Sequence, residues 1–222
     1  MNYPGLTVIN HALAVHKLTL MRDQSPALRA DIEKFRRLMR EVGLILCSEA
    51  TRDLPLQPWP IQVSGGPFEA QVLEQVKLVI VPILRAGLVL AEAFFELVPM
   101  ARSGHIGLFR DFHQDELTNY LTSIPTAPVT DFFVLDPVIA TSKTICKGVD
   151  ILLDLDIQPE RIRVVTLLAA QQGIEAFYSN HRHADVRIFT VAIDPEVDQN
   201  GYVVPGIGDA GDRLFGTEKV FP

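Results

Sequence analysis

A polar loop between a buried strand and a helix is the first feature of this sequence that could do chemistry. The run VLDPVIATSKT (134–144) has an apolar strand pattern, an acid at Asp136, and then hydroxyl groups and a lysine where a helix begins. Loops of this kind lie at the carboxyl edge of parallel sheets, where such sheets bind ligands. The unpaired N–H groups of the helix start, together with the TSKT side chains, predict a phosphate cradle. The alternative is a plain helix start with Thr141 or Ser142 as its N-cap.

Two arginines stand at the ends of predicted strands. Arg85 in PILRAG (82–87) follows a buried strand where a helix begins, and Arg110 ends the strand HIGLFR (105–110). A guanidinium group can bind two phosphate oxygens at once. Taken alone, Arg85 fits a structural ion pair better. Together with Lys143, the two arginines would suit a substrate that carries several phosphates.

The C-terminal segment 194–217 carries five glycines and little periodicity. Its run GIGDAGD (206–212) matches G-x-G-x-x-G, but only 11 residues follow Gly211, too few for a dinucleotide-binding unit. What remains is a glycine-rich loop with Asp209 and Asp212 that can present backbone groups to a planar ligand. A surface tail is the alternative, although its interleaved apolar residues argue against one.

The elements that must position these residues alternate between buried strands and helices. Short apolar strands separated by helices indicate a parallel sheet that is covered on both faces, in one α/β domain over residues 1–222. The polar region 111–130 interrupts this rhythm and is predicted to be a flexible hairpin or lid. The predicted strands are 76–84, 105–110, 131–136, 161–170 and 186–193, and the predicted helices are 27–50, 86–98, 142–155 and 172–181.

Composition narrows the classes of function. With 20 Lys and Arg against 27 Asp and Glu, the formal charge is −7, which argues against a general binder of nucleic acids or acidic membranes. An apolar content of 48% is typical of a soluble globular domain. Cys47 and Cys146 are read as free thiols, and no signal peptide or spanning segment is visible, so we expect a cytoplasmic protein. His181 and His183 are read as a solvated helix end.

Six segments of the sequence form a recognisable set: HALAVHKLTLMRD, EATRDLP, VPILRAG, GHIGLFRD, LDPVIATSKT and GYVVPGIGDAGDRLFGT. They resemble one known family, the uracil phosphoribosyltransferases, in whose order and spacing they occur from about His11 to Thr217. The resemblance implies the type I phosphoribosyltransferase fold, a central parallel sheet flanked by helices, with a flexible hairpin and a C-terminal hood over residues 194–217.

The resemblance also implies a reaction and a set of site residues. Uracil and phosphoribosyl pyrophosphate (PRPP) would give UMP and pyrophosphate with the help of Mg²⁺, which the substrate rather than a protein cluster would mainly hold. By similarity, Asp136, Asp209 and Arg110 would be catalytic, and no general base stands out. Family members form dimers and tetramers, so a homodimer or homotetramer is expected, and some bind GTP. The PRPP-binding residues would be Arg85, Arg110, Asp136, Pro137, Val138, Ile139, Ala140, Thr141, Ser142, Lys143, Thr144 and Asp209. The uracil-binding residues would be Tyr202, Val203, Gly208, Asp209 and Ala210.

One position departs from the family pattern. Ser142 stands where the family has glycine, in a loop where a special backbone angle would cost a serine about 1–3 kcal/mol. A bond from Lys143 to phosphate could return a similar amount. The alternative function is therefore a catalytically impaired homologue that binds a pyrimidine or nucleotide as a sensor or partner subunit. An RNA-binding regulator would need a basic face. On strain alone, Ser142→Gly is expected to lower the KM for PRPP.

Overall fold

The structure is a computed structural model that describes residues 3–26, 31–74, 77–111, 116–125 and 131–217. The helices in these ranges are α1 (Ala12–Arg22), α2 (Ile32–Ala50), α3 (Leu88–Leu97), α4 (Lys143–Leu153), α5 (Gln171–Ser179) and α6 (Ala210–Phe215), with 3₁₀ turns at Pro159–Arg161 and His181–His183. The strands are β1 (Leu6–Val8), β2 (Leu56–Val63), β3 (Gly66–Leu73), β4 (Leu78–Leu84), β5 (Arg102–Ser103), β6 (His105–Asp111), β7 (Glu116–Ser123), β8 (Asp131–Leu135), β9 (Val138–Ile139), β10 (Ile162–Val165), β11 (Leu168–Ala170), β12 (Arg187–Thr190), β13 (Ala192–Asp194), β14 (Glu196–Val197) and β15 (Val203–Val204).

An eight-stranded sheet forms the centre of the domain. Its order is β1-β12-β10-β8-β4-β6-β7, with β5 beside β4. All neighbours run parallel except β6 and β7, which form an antiparallel edge. The central strands β4 and β8 are apolar and buried along their length, as strands covered on both faces must be. The predicted α/β class with a central parallel sheet is confirmed.

Helices cover both faces of the sheet and create two cores. Side chains alternate between faces along a strand. In β4, Leu78 and Ile80 therefore join the core beneath α1, α2 and α3. Val79 and Val81 join the core beneath α4 and α5. The four predicted helices are confirmed within one or two residues, apart from the 27–30 start, which lies outside the described residues.

Two predicted strands are each divided into two. The prediction of one strand over 161–170 is wrong, because β10 ends at Val165 and β11 belongs to a separate three-stranded sheet, β13-β11-β9. The strand predicted over 186–193 is likewise divided into β12 and β13. Uninterrupted hydrophobicity reports burial and not a change of pairing partner, so the break left no mark on the sequence pattern.

Two hairpins extend from the domain. In one, eight residues of the polar region 111–130 form strand β7, which pairs with β6. The lid predicted for the rest of that region falls on 112–115 and 126–130, which lie outside the described residues. In the other, β2 and β3 form a two-stranded sheet whose Leu56, Trp59 and Phe68 are each more than half exposed. No helix in the described ranges is long and apolar enough to cross a membrane.

Candidate active site

The carboxyl edge of the central sheet collects the predicted site residues. Arg85 follows β4 and Asp136 follows β8, and these strands are direct neighbours with Pro82 opposite Leu135. The two side chains therefore start from adjacent strand ends at the edge where open parallel sheets bind ligands. The peptide bond that leads into Arg85 is cis.

Asp136 is an acid that titrates near neutral pH. Its backbone N–H donates to Val165 O at 3.2 Å, and its carboxylate accepts from the backbone N–H of Val138. Burial disfavours the charged form and raises the pKa of this carboxyl from 3.8 to about 7, although the Val138 N–H opposes the shift. Asp136 can therefore hold or release a proton at physiological pH.

Main-chain bonds fix the 136–144 loop from its first residues. Pro137 O accepts from the N–H groups of Leu167 and Leu168 at 3.0 and 3.3 Å. Val138 and Ile139 then pair with β11 in the small parallel sheet. The chain thus reaches the start of α4 from a strand rather than from a free loop.

The start of α4 has the features of an anion site. Its N-cap is Ser142, as one alternative reading expected, but the Ser142 side chain makes no capping bond. Side-chain capping therefore does not occupy the first N–H groups of the helix, which carry the positive end of its dipole. Thr141 and Thr144 are half-buried beside them, and Lys143 is exposed.

Ser142 has the special backbone angle that the sequence suggested. Its φ is 66° and its ψ −10°, in the left-handed region, and the residue is only 4% exposed. Its hydroxyl donates to Gly173 O in α5 at 2.5 Å. The hydroxyl is thus bonded within the protein and does not face the predicted phosphate cradle. We therefore expect Ser142 to contribute to the cradle through its backbone alone.

The C-terminal hood is a short hairpin followed by one turn of helix. Val203 is buried and pairs with Val197, and Gly206 has φ 56° with space for no side chain, since a Cβ there would lie 2.0 Å from Val203 O. Asp209 caps α6 by accepting from Asp212 N at 2.8 Å. The chain therefore reverses direction at Gly206, and a hydrogen bond fixes the Asp209 carboxylate at the start of α6.

The predicted uracil-binding residues lie along this turn. Tyr202 directs its hydroxyl to a carboxylate oxygen of Asp209 at 3.4 Å, and burial followed by the charge of Asp209 raises the pKa of the phenol. Gly208 has φ 73°, and Ala210 begins α6. The five predicted residues thus lie within one short stretch of the hood.

Charged residues hold the hood in place, and sequence reasoning missed them. Nη1 and Nη2 of Arg22, at the end of α1, lie 2.6 and 2.7 Å from the carboxylate of Asp194. The same carboxylate accepts from Gly206 N at 2.9 Å, and Arg22 also donates to Gly206 O at 3.1 Å. In the sequence, Asp194 follows the apolar run 186–193 as Asp136 follows the apolar run 132–135, and that shared pattern was the signal that could have identified it.

A second arginine, Arg213, belongs to the hood and connects it to α1 and α2. Arg213 is 5% exposed and donates to Met21 O and, at 2.9 Å, to Ile207 O. Its guanidinium carbon lies 3.9 Å from the centre of the Phe35 ring. The end of α1 and the start of α2 therefore both support the glycine-rich turn.

Phe215 connects the hood to Arg85. The Arg85 guanidinium lies 5.4 Å from the centre of the Phe215 ring, and the Arg36 guanidinium lies 5.9 Å from it. Arg36 Nε also donates to Leu214 O at 2.6 Å. Arg110 lies near the end of β6, opposite Leu117, and its side chain is outside the described part of the structure.

Comparison with solved structures shows the fold. The chain is similar over 97% of its length to all of the AQ2163 protein of Aquifex aeolicus, with a TM-score of 0.86 and 29% identity. It shares its fold with the APRTase of Giardia lamblia, at a TM-score of 0.51 and 13% identity over 75% of this chain and 84% of that one. The fold is that of a phosphoribosyltransferase, an enzyme class that transfers a pentosyl group.

Comparison of sequences establishes the family. The family model for uracil phosphoribosyltransferase matches residues 8–217. The curated uracil phosphoribosyltransferase of Ralstonia pickettii is 41% identical over 98% of this chain and 97% of its own length. That of Rhodospirillum centenum is 42% identical over 98% of both chains. The chain belongs to the uracil phosphoribosyltransferase family.

Proposed function

We propose that this protein transfers the phosphoribosyl group of PRPP to uracil, which gives UMP and diphosphate and serves pyrimidine salvage. The observation that carries the proposal is the meeting of three elements in a chain of this family. Arg85 follows β4 of the central sheet, whereas the start of α4 and the hood follow β9 and β13 of the small parallel sheet. Phe215 of the hood lies against the Arg85 guanidinium. A sugar with phosphates at two ends and a planar base needs three such surfaces.

The 136–144 loop is proposed to bind the ribose 5-phosphate part of PRPP. The first turn of α4 offers backbone N–H groups, and Thr141, Lys143 and Thr144 offer hydroxyls and a positive charge. Residues 137–140 (PVIA) shape the loop through main-chain pairing.

Arg85 and Arg110 are proposed to bind the pyrophosphate group. Arg85 is exposed on the sheet edge, and Phe215 restrains its guanidinium. Two positive side chains at neighbouring strand ends match a leaving group whose negative charge increases as its bond to C1′ breaks.

Uracil is proposed to bind against the hood. Tyr202, Val203, Gly208, Asp209 and Ala210 would form this surface, mainly through backbone groups. A planar base with fixed donors and acceptors is read well by a backbone that glycine turns and internal bonds hold in place.

The chemical step makes one bond and breaks two. The N1–C1′ bond would form, the C1′–oxygen bond would break with its electron pair leaving on pyrophosphate, and the N1–H bond would break with its proton released to solvent. Positive charge develops on the ribose ring, which the carboxylates of Asp136 and Asp209 would stabilise. No residue is assigned as the general base.

Magnesium is proposed to bind mainly through the substrate. Mg²⁺ is often held by one or two carboxylates together with substrate phosphates and water, and Asp136 and Asp209 offer carboxylates of that kind. Among the described residues, no group of three or more His, Cys, Asp or Glu side chains could hold a metal ion. When bound with PRPP, Mg²⁺ would neutralise part of the pyrophosphate charge.

The non-catalytic alternative rested on Ser142 in place of glycine. The described structure accommodates serine with the left-handed angle and bonds its hydroxyl internally, so no observation here favours that alternative.

A homodimer or homotetramer is also proposed. The β2–β3 hairpin carries exposed Leu56, Trp59 and Phe68, which a second copy of the chain would cover. GTP binding, a cytoplasmic location and the absence of nucleic-acid or membrane partners stay predictions.

The test of the activity is direct. Purified protein, Mg²⁺, uracil and PRPP should yield UMP, measured by chromatography, and Arg85→Ala should raise the KM for PRPP at least tenfold through loss of a charge-assisted contact. Arg52→Ala is the matched control, because the exposed Arg52 pairs with Glu49 three residues away on the surface. Retained uracil binding without any UMP would reject the proposed activity.

A further inference from the structure

Ser142 combines a backbone angle that disfavours serine with a buried hydroxyl that is hydrogen-bonded inside the protein. Among the described residues, Ser142 and Asp156 have positive φ without being glycine. Asp156 lies in a turn at the surface, whereas Ser142 is 4% exposed and sits between two helices. A side chain in the left-handed region needs surrounding contacts that hold it there.

Those contacts come from α5 and from α4 itself. The Ser142 hydroxyl donates to Gly173 O at 2.5 Å, and Cys146 N donates to Ser142 O at 2.8 Å. An unbonded hydroxyl at this depth would be unfavourable, so the bond to Gly173 selects one side-chain position and with it one loop geometry.

Gly173 receives the loop at a second point. A Cβ on Gly173 would lie 2.4 Å from Ala140 O, so the backbone at Ala140 packs directly on the first turn of α5. Residues 140 and 142 are thus both held by one residue of α5, one by close packing and the other by a hydrogen bond. These two contacts restrain the backbone just before Lys143, where α4 begins.

We propose that Ser142 is a positioning residue for PRPP, whose hydroxyl bond to α5 holds the start of α4 in its anion-binding geometry before the substrate arrives. A glycine would reach the same backbone angle without strain but would leave it unrestrained. The serine backbone is strained, but its hydroxyl bond fixes the loop. A binding site that is already ordered loses less conformational entropy when the substrate binds.

This inference rests on the proposed binding of the 5-phosphate by the 136–144 loop, and it reverses the expectation from strain alone. Loss of the hydroxyl should weaken binding even where strain is relieved. Both Ser142→Ala and Ser142→Gly should therefore bind ribose 5-phosphate about three- to tenfold more weakly than the wild type, as expected for the loss of one hydrogen bond.

Isothermal titration with ribose 5-phosphate tests the proposal, because this probe lacks the pyrophosphate group. Steady-state kinetics should show a matching rise in the KM for PRPP, with kcat and the KM for uracil unchanged. Ser179→Ala is the matched control, since it removes a hydroxyl bond to Ala176 O at the C-terminal end of α5, the helix that contains Gly173. That variant should bind ribose 5-phosphate as the wild type does.

The outcomes separate the inference from the function on which it rests. Wild-type affinity in both Ser142 variants, with an active wild-type enzyme, would overturn the positioning role alone. An equal rise in the KM for both substrates would reduce Ser142 to general stability and would also overturn it. A wild-type enzyme that makes UMP but does not bind ribose 5-phosphate would overturn the loop assignment, and the inference with it.

Discussion

The 136–144 loop and the hood lie at the same edge of the sheet, but different forces hold them. The loop is held by backbone: Pro137 O, the β9–β11 pairing and the contact with Gly173 all involve main-chain atoms. The hood is held by charge. Arg22 of α1 pairs with Asp194 of the hood across 172 residues, and Arg213 of the hood donates to Met21 O across 192 residues.

This difference predicts which substitutions should disturb the 136–144 loop and which should disturb the hood. Main-chain bonds survive most substitutions, so the geometry of the loop should change only where a side chain restrains it, as at Ser142. The hood depends on the half-buried pair of Arg22 with Asp194, and removal of Asp194 leaves the charge of Arg22 uncompensated. Single substitutions of the charges that hold the hood should therefore disturb uracil binding more than PRPP binding.

The largest effect is expected at Asp136, on the loop side. Asp136→Asn removes the carboxylate proposed to stabilise charge on the ribose ring, so kcat should fall by about 10²–10³-fold, as for loss of other preorganised electrostatic groups. Initial rates of UMP formation at saturating substrates measure this. A loss of less than tenfold would contradict a catalytic role for the carboxylate.

The same variant has a pH-dependent effect on stability. Burial raises the pKa of Asp136 to about 7 in the folded protein, so the folded state binds the proton more tightly than the unfolded state does. The free energy of unfolding contributed by this group therefore falls as pH rises from about 4 to about 7. Asp136→Asn should be more stable than the wild type by roughly 4 kcal/mol at pH 8, because a pKa shift of about three units corresponds to that free energy, and equal to it near pH 4. Thermal melts at both pH values measure this, and equal Tm values at pH 8 would contradict it.

The next largest effect is expected in the hood. Asp194→Asn leaves the half-buried Arg22 without its charge partner, so the KM for uracil should rise about 10–50-fold and the free energy of unfolding should fall by about 3 kcal/mol. Binding of ribose 5-phosphate should stay within twofold of the wild type. Steady-state kinetics, urea denaturation and calorimetry measure the three effects.

The control for this variant is Asp154→Asn, which removes a pair with Arg182 on the surface. Both partners there are well exposed, and such pairs contribute about 0–1 kcal/mol. If Asp154→Asn and Asp194→Asn changed the KM for uracil equally, the hood would not depend on its buried pair.

The smallest effect is expected where the two halves meet. Phe215→Leu removes the ring over which Arg85 lies, and an exposed cation–π contact contributes about 0.5–1 kcal/mol. The KM for PRPP should therefore rise about two- to fivefold with kcat unchanged. An unchanged KM would show that Arg85 is positioned without the hood.

The fold and the loop side of the site could largely be predicted from the sequence, because burial and turn chemistry leave local patterns. Buried apolar runs located β4 and β8, and Asp136 followed one of them. The angle at Ser142 was also anticipated. The bond to Gly173 was not, because it joins residues 31 positions apart and no local pattern records it.

The hood was recognised by its glycines, but the residues that hold it were not. Arg22 ends α1, a helix that is not among those predicted from the sequence, and its partner lies 172 residues further along the chain. The breaks near Thr166 and Val191 were hidden for a related reason, since pairing partners are set by tertiary contacts. Long-range pairing was the information that the single sequence lacked.

The most direct test of this account is a two-substrate kinetic comparison of the wild type, Ser142→Ala and Asp194→Asn, with UMP as the measured product. The account predicts that the wild type forms UMP, that Ser142→Ala raises only the KM for PRPP, and that Asp194→Asn raises chiefly the KM for uracil. An active wild type in which both variants raise both KM values equally would contradict the claim that loop and hood are anchored separately.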